Sequence, residues 1–591
     1  MRKIYTYLMI LSIIFWCTSL MAQDEEKPTV DIDSVNIKGF RGVKSIFDKT
    51  TNEVIQHYVY FDNGSSLEVI FLDLDLQITK RLPLPLATGD IQEAVFNGET
   101  ILFYTITNGF DWVGNSGTDR ANIQYYTVSL DGEILGQFGS SFVATEDGKT
   151  QPYVVPSEID NGFYLLNPSR NEDVWIPNKG FVGYNVTKVD AQFETQWTKG
   201  SFPIKKKEGI MLQTAESGFD RLVIIESKMA NWLTNKMTGT ELVCLDGNNG
   251  DELYRAALFS DAFTSLPSQI DIDIDGNINL GGEYFKGAKT KNVNSTGIFV
   301  TKLDPSGQEL SVNRSSWKDG IQKQLKRGSF SFSGKNKVLF HDIVSTEDGG
   351  FQLIGESFSK KQTLGKNSML GALANAALSE VAGDDAADAV SGAVDIKNFI
   401  IAIVSGRFIG FPDPEETPTI LTVQEMMLFD YDENLELTEV RRVEKPYTKV
   451  YSYPPYTGTG GLTLAKIMKG YGFFDYSFVS YDEESGKQTM VYNSMMSKRP
   501  SMGMVDIEKG SEAVPREFVV KNLKKYGGFD EEAEEVEDGN KDEDGKKLKF
   551  SNTGIAQANE GKVVIYYIEK RKKEKTGTLK MFHETLNTGV E

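Results

Sequence analysis

The chain has 591 residues, of which 40 % are hydrophobic and 25 % are charged, so it contains enough apolar sequence to build a large folded core. Its 84 acidic and 63 basic residues give a net charge of −21, which disfavours both nucleic acid and anionic lipid as partners. Only two cysteines are present, which excludes a fold built on a disulfide framework.

The N-terminus has the pattern of a secretory signal peptide. A basic start precedes an apolar run from Leu8 to Cys17, and a short segment then ends at Ala22. The apolar run is shorter than the about 20 residues that cross a bilayer. We expect cleavage after Ala22, a single mature domain over residues 23–591, and export to the periplasm or cell surface. A lipid anchor at Cys17 is the alternative, although bulky residues precede it.

A strand, an acidic turn and a second strand recur along the first half of the chain. In one copy the alternating strand Tyr126–Leu130 runs into the turn Asp131-Gly132. The turn acids of five copies follow one another at intervals of 56 to 59 residues: Asp75, Asp131, Asp190, Asp246 and Asp304. A fixed period of this kind is typical of repeat architectures.

A second type of hairpin lies between these copies, so each period holds four strands. Its turn is Asn-Gly or Asp-Gly, as at Asn97-Gly98 and Asn161-Gly162, and these pairs supply the positive φ angles that tight hairpins need. Serial four-stranded units form either a solenoid or the blades of a propeller. We favour an all-β propeller with eight four-stranded blades, with seven as the alternative. Residues 30–37 would supply the last strand and close the ring.

The later units are less regular and are predicted at residues 338–442, 461–522 and 548–586. Two segments resemble the repeats of uncharacterised secreted bacterial β-propeller proteins: Ile274–Gly282 and Asp348–Gly355. The resemblance is clear over residues 60–360 and looser beyond. It implies the architecture and no particular chemistry, because a fold does not fix a function.

Two insertions interrupt the repeats. The first, at about residues 361–418, has apolar residues at helical spacing and ends in the apolar run Phe399–Val404. We interpret it as a helix in the sixth unit that packs over the propeller; a docking element for a partner or a membrane is the alternative. The second, at residues 529–547, is strongly acidic and is predicted to be a solvated loop.

Aromatic residues cluster on one predicted face. In a blade with strands A to D, the short A–B and C–D turns share one face, and the irregular B–C and D–A connections share the other. The aromatic residues of the second face are the predicted ligand-binding residues: Trp112, Trp175 and Trp232 in B–C loops, and Tyr451, Tyr453 and Tyr456 in a D–A connection. Exposed aromatic rings recognise sugars and peptides. Local packing is the alternative for each tryptophan.

Motifs for metal or catalytic chemistry are weak. Asp271, Asp273 and Asp275 match the start of a calcium loop, but the glutamate that should occupy the twelfth position is one residue late. A plain hairpin turn explains the same residues, with calcium as the alternative cofactor. The three histidines have no metal-ligand spacing: His57, His341 and His583. After signal cleavage Cys244 is the remaining thiol, and its apolar neighbours predict a buried side chain.

These patterns favour a non-catalytic binding or scaffold protein of the cell envelope. It would engage a protein, a peptide or a glycan through the B–C/D–A face, with membrane contact through Phe399–Val404. A polysaccharide hydrolase or lyase is the first alternative, with converging carboxylate, Arg or Tyr side chains at the axis on that face. A structural component of envelope assembly is the second.

Overall fold

The structure is a computed structural model. It describes residues 30–585 except 38–39, 49–52, 63–66, 85–89, 109–119, 144–152, 158–159, 171–179, 233–236, 274, 288–294, 326–335, 347–348, 363–407, 410–418, 446, 453–460, 471–472, 483–486, 497–498, 508–515, 519–547, 560 and 572–573. The predicted signal peptide, the helix predicted in the first insertion and the acidic loop lie outside the described residues.

The described strands form eight sheets, one for each blade of a propeller, and the four main strands of each blade are antiparallel to their neighbours. The first four blades are blade 1, β2 (Phe40–Asp48), β3 (Glu53–Asp62), β4 (Leu67–Leu72) and β5 (Ile78–Leu84); blade 2, β6 (Asp90–Phe96), β7 (Thr100–Asn108), β8 (Arg120–Ser129) and β9 (Ile134–Val143); blade 3, β10 (Tyr153–Pro156), β11 (Phe163–Arg170), β12 (Phe181–Val189) and β13 (Thr195–Ser201); and blade 4, β14 (Gly209–Gly218), β15 (Arg221–Met229), β16 (Met237–Asp246) and β17 (Glu252–Ala257).

The next three blades follow the same order. They are blade 5, β18 (Phe263–Ile272), β19 (Ile278–Lys286), β20 (Gly297–Leu303) and β21 (Glu309–Ser316); blade 6, β22 (Asn336–Ser345), β23 (Phe351–Gln362), β25 (Thr419–Tyr431) and β26 (Leu437–Val443); and blade 7, β28 (Tyr476–Asp482), β29 (Lys487–Met496), β30 (Arg499–Asp506) and β31 (Arg516–Phe518). Two short strands extend the sheet of blade 6: β24 (Phe408–Ile409) and β27 (Thr448–Ser452).

The last blade joins the two ends of the described chain. It contains β32 (Leu548–Gln557), β33 (Lys562–Arg571) and β34 (Thr576–Thr585), and its outer strand is β1 (Val30–Asn36), antiparallel to β34. The pairing of Ile32 with Leu579 is one register position of this closure. Eight blades and the closing strand are therefore confirmed.

Helical structure is short throughout the described residues. Helical turns at Trp317–Ile321 and Gln322–Gln324 follow blade 5, and helix α1 spans Gly461–Gly470. The prediction that the seventh unit starts at residue 461 is therefore wrong, because α1 occupies this position and blade 7 starts at Tyr476. None of the described helices combines the length and apolar character needed to cross a membrane.

The core consists of apolar layers between neighbouring blades. Between blades 5 and 6, Val300 packs in one cluster with Val338, Leu353 and Met427, and all four are fully buried. Burying a side chain of this size contributes roughly 1.5–3 kcal/mol. Each blade therefore depends on its neighbours for stability.

An aspartate fixes most C–D turns. Asp190 Oδ1 accepts the N–H of Gln192 at 2.9 Å and that of Glu194 at 2.8 Å, a side-chain turn that replaces backbone pairing. The same two bonds recur in three further blades, at Asp73, Asp304 and Asp432. In blade 1 the residue with this role is Asp73, two positions before the Asp75 that the periodicity singled out.

Candidate functional site

The first strands of neighbouring blades contact one another from blade 8 through blade 1 to blade 6, and these innermost strands line the axis. In seven of the eight blades the pairing between strands A and B is interrupted by a bulge. The extra residue is Gln213 in blade 4, Ser268 in blade 5, His341 in blade 6 and Ser477 in blade 7. A bulge redirects the side chains around it and is common beside functional sites. Polar residues therefore occupy the bulges of these four consecutive blades beside the axis.

Three carboxylates follow these bulges on consecutive blades. Glu216, Asp271 and Asp342 lie on the innermost strands of blades 4, 5 and 6, and all are half-buried. Burial raises the pKa of Asp271, and the charges of Asp273, Glu216 and Asp342 raise it further, against a hydrogen bond from Asn279. Burial also raises the pKa of Asp342. A raised carboxyl pKa suits a group that donates a proton or a hydrogen bond.

Blade 7 adds a phenol to this group. The Tyr476 hydroxyl donates to Asp342 Oδ2 at 2.6 Å, and its ring stacks on the His341 ring with centroids 5.0 Å apart. Burial, followed by the charge of Asp342, raises the pKa of Tyr476 well above its usual value. Burial and the charge of Lys469 lower the pKa of His341 to about 4, so this imidazole is neutral at pH 7.

Helix α1 places two lysines opposite the carboxylates. Its buried face consists of Leu464, Ala465 and Met468, at the spacing of one helical side, and packs against blade 6. Lys466 Nζ lies 3.5 Å from Gln213 Oε1 of blade 4, and Lys469 Nζ lies 3.5 Å from the Phe340 carbonyl oxygen of blade 6. The helix therefore reaches from blade 6 towards blade 4 across blade 5.

A second pair of ionisable groups, the buried Glu283 and the half-buried Lys466, lies beside the helix. Burial raises the pKa of Glu283, which accepts a bond from Ser295 Oγ at 2.5 Å, and burial lowers the pKa of Lys466. Both groups line a cavity of about 10 Å³ together with Ser268. A cavity of this size is at the lower limit for holding one water molecule. The charges of Glu283 and Lys466 thus face each other without a direct ion pair.

An ionic cluster between blades 6 and 7 fixes the position of Tyr476. Lys445 Nζ lies 3.1 Å from Glu356 Oε1 and 2.5 Å from Asp475 Oδ2, and all three side chains are buried. Glu356 Oε2 accepts the N–H groups of Asp475 and Tyr476 at 3.0 and 3.1 Å and lies 3.1 Å from His341 Nε2. The cluster fixes the start of strand β28, and with it the position of the Tyr476 ring.

Opposing effects set the charges of this cluster. Burial alone would raise the pKa of Glu356, but the Lys445 and His341 groups lower it below its usual value. Burial would lower the pKa of Lys445, whereas Glu356 and Asp475 raise it. Burial raises the pKa of Asp475, although Lys445 opposes this. The Lys445–Glu356 pair is therefore charged at neutral pH, and its two charges compensate each other.

We refer to Gln213, Glu216, Asp271, Asp342, Lys466, Lys469 and Tyr476 as the axial site. It combines acceptors, donors and one aromatic ring on positions that are half-buried, except for the exposed Lys469, and this arrangement suits a polar ligand with several hydroxyl or amide groups. Groups of three or more potential metal ligands are absent among the described residues.

The aromatic residues predicted from the sequence do not meet at one described place. Trp232 is half-buried, and its indole N–H donates to the Lys206 carbonyl oxygen at 3.2 Å. Tyr451 lies in strand β27 and is 3 % exposed. Four of the six lie outside the described residues: Trp112, Trp175, Tyr453 and Tyr456. Their ligand-binding role stays a prediction.

The candidate calcium residues have partners within the chain. Asp273 accepts the N–H groups of Asp275 and Asn277 and lies 2.8 Å from Lys302 Nζ. Asp271 accepts a bond from Asn279 Nδ2 at 3.1 Å. These contacts describe a hairpin turn closed by side chains, and calcium binding at these residues stays a prediction.

Of the seven axial-site residues, Asp271 alone was singled out from the sequence, as a candidate calcium residue, and the other six were not predicted. With 84 acidic residues in the chain, no pair of carboxylates could be singled out. Glu216 and Asp271 each follow the extra residue of the bulge by three positions, an equivalence that becomes visible only in the structure. The bulge itself leaves no mark in the hydrophobic alternation, because one inserted residue looks like a local irregularity.

Fold and site together define a single eight-bladed β-propeller with a polar axial site. Residues 89–387, just over half of the chain, match a family of unknown function (DUF6770), and the chain belongs to this family. No curated protein matches the sequence.

Several solved structures share low similarity with the chain. A protein of unknown function from Bacteroides caccae is 9 % identical, with 66 % of this chain and 94 % of that chain covered and a TM-score of 0.25. An uncharacterized protein from Listeria monocytogenes is 10 % identical, with 57 % and 82 % covered and a TM-score of 0.30. The polysaccharide lyase Uly1 is 10 % identical, with 95 % and 100 % covered and a TM-score of 0.35.

Proposed function

We propose that the protein is a non-catalytic binding protein of the cell envelope that holds a segment of a glycan in its axial site. The leader-like N-terminus supports export. The observation that carries the binding role is the convergence of Glu216, Asp271 and Asp342 with Tyr476 and Lys466 from four blades and one helix. The B–C/D–A face contributes α1 to this site, while the carboxylates come from the strands.

The chemistry of the axial site favours a polyhydroxylated ligand over an apolar one. Carboxylates accept hydrogen bonds from vicinal hydroxyl groups, and Lys466, Lys469 and the Gln213 amide donate to ring and hydroxyl oxygens. The three carboxylates are half-buried, so water competes less for them than at an exposed surface. A charged hydrogen bond of this kind contributes about 1.5–3 kcal/mol.

A glycan array followed by calorimetry on a hit tests this proposal. We expect Glu216→Gln and Asp342→Asn to weaken binding roughly 10- to 100-fold, which corresponds to the loss of one charged hydrogen bond. Asp251→Asn is the matched control, because Asp251 is a 69 % exposed carboxylate in the C–D turn of blade 4 and pairs with Lys199 of blade 3. Binding that is equal in all four proteins would contradict an axial site.

A second function, a carboxylate-based polysaccharide hydrolase or lyase, has one specific observation in its favour. Asp342 has a raised pKa and accepts a bond from the Tyr476 hydroxyl at 2.6 Å, so an acid and a phenol are adjacent at the axis. Cleavage would release new reducing ends from a bound polysaccharide, and Asp342→Asn would abolish their release. A ligand that binds and is recovered intact would leave binding as the function.

A further inference from the structure

The connection between blades 3 and 4 carries the most exposed large apolar side chain of the described residues. Ile204 is 102 % exposed, and Phe202, two residues earlier, is 48 % exposed. The connection joins β13 to β14, so it lies on the B–C/D–A face. Leaving such side chains in water is costly, and neighbouring exposed apolar residues usually mark a contact surface.

Three consecutive lysines follow the apolar tip. Lys205, Lys206 and Lys207 are all exposed, in a chain whose net charge is −21. Lys205 pairs with Glu208 at 3.0 Å, whereas Lys206 and Lys207 make no ion pair within the described part of the chain. Screening limits each charge to about 10 Å at 0.1 M salt, so these lysines act locally despite the acidic surface elsewhere.

The connection is held in one conformation by Trp232. The Trp232 N–H donates to the Lys207 carbonyl oxygen at 3.2 Å, and its indole donates to that of Lys206 at 3.2 Å. The Phe202 ring lies against Gly183 and Gly200, where a side chain larger than hydrogen would collide with it. The apolar tip is therefore preformed, and ordering it on contact costs little.

We propose that this lysine loop, residues 202–207 with the adjacent Trp232, docks the protein on an anionic lipid bilayer. Phe202 and Ile204 would enter the interfacial region while Lys206 and Lys207 contact phosphate headgroups. The occupant is lipid rather than protein because the tip is small and convex. Phe202 and Ile204 together can bury at most about 400 Å², whereas a stable protein interface takes about 800 Å² from each partner.

Vesicle sedimentation tests the proposal with the chain from residue 23. The probes are vesicles of phosphatidylcholine and vesicles of equimolar phosphatidylcholine and phosphatidylglycerol. We expect binding to the anionic vesicles alone, weakened roughly tenfold or more by Ile204→Asp and several-fold by Lys206→Gln with Lys207→Gln, and by added salt. Leu310→Asp is the matched control: Leu310 is 54 % exposed in strand β21 of blade 5 and lies outside the loop.

Each possible result of the vesicle experiment either supports or overturns the docking surface. Selective binding that Ile204→Asp removes and Leu310→Asp retains supports the docking surface. Absence of binding to either vesicle overturns it, and so does binding that Ile204→Asp leaves unchanged. Equal binding to neutral vesicles overturns the role of the lysines. Binding of a synthetic acidic peptide in place of vesicles would replace lipid by a protein partner. Circular dichroism of all three variants confirms that they fold.

Discussion

Substituting Lys445 by methionine is the sharpest test of the ionic cluster under the axial site. The substitution keeps most of the side-chain volume but removes the cation that lies 3.1 Å from Glu356 and 2.5 Å from Asp475. Both carboxylates would remain in a dry interior with no compensating charge. Breaking a buried pair in this way costs about 3–5 kcal/mol, because the remaining charge loses its partner and gains no water.

The control is Lys199→Met, which removes the cation of the Lys199–Asp251 pair at 2.9 Å. Both side chains of that pair are exposed, 46 % and 69 %, so we expect a cost of about 0.2–1 kcal/mol. The double variant Lys445→Met with Glu356→Gln should recover part of the loss, since one of the two uncompensated charges is gone.

Urea unfolding followed by circular dichroism measures these differences as shifts of the transition midpoint at constant slope. A cost for Lys445→Met within 1 kcal/mol of that for Lys199→Met would refute the argument. The cluster would then contribute no more than an exposed pair. A changed slope would instead show that the substitution altered the denatured state or broke the single cooperative transition.

Two further predictions concern the ring as a whole. Burial lowers the pKa of His57 and of His341 to about 4 in the folded protein, whereas the same imidazoles take up protons near pH 6.5 in the unfolded chain. Stability therefore falls as the pH drops from 6.5 to 4. His57→Asn should reduce that loss by about 3 kcal/mol in urea titrations at both pH values; an unchanged loss would contradict a buried neutral imidazole. Asn559 of blade 8 donates to the Val54 carbonyl oxygen at 2.6 Å and accepts the Val54 N–H at 2.7 Å in blade 1. Asn559→Ala should lower stability by about 1–3 kcal/mol in the same assay, and no loss would show that this seam does not limit stability.

The architecture was accessible from the sequence because it depends on repetition. The blades can be counted from the period of the C–D turns and from the Asn-Gly hairpins between them. The closing strand follows from the need to pair the last sheet edge. Blade 7 was misplaced because α1 spans only ten positions, too few for the spacing of its apolar residues to separate a helix from a strand. The position of its two lysines at the axis becomes visible only in the folded structure, where Lys466 contacts Gln213 and Lys469 contacts the Phe340 carbonyl oxygen.

The axial site was inaccessible for a different reason. Asp342 and Tyr476 are 134 residues apart, and their contact depends on the register of two blades and on a bulge at His341. No local pattern encodes this register, because apolar alternation is the same on either side of the bulge. Aromatic residues in long loops stood out in the sequence, but Trp232 uses its ring to hold a neighbouring connection.

The two ends of the propeller have different chemistry, which separates the two proposed roles. Glu216 and Asp271 lie in the last third of their strands, towards the A–B turns, whereas the lysine loop lies on the B–C/D–A face. A protein docked through the loop would present the carboxylate end of its axis away from the bilayer. A glycan could then enter from the aqueous side. We therefore expect vesicle-bound protein to bind glycan as well as free protein does; competition between vesicles and glycan would show that both use the same face.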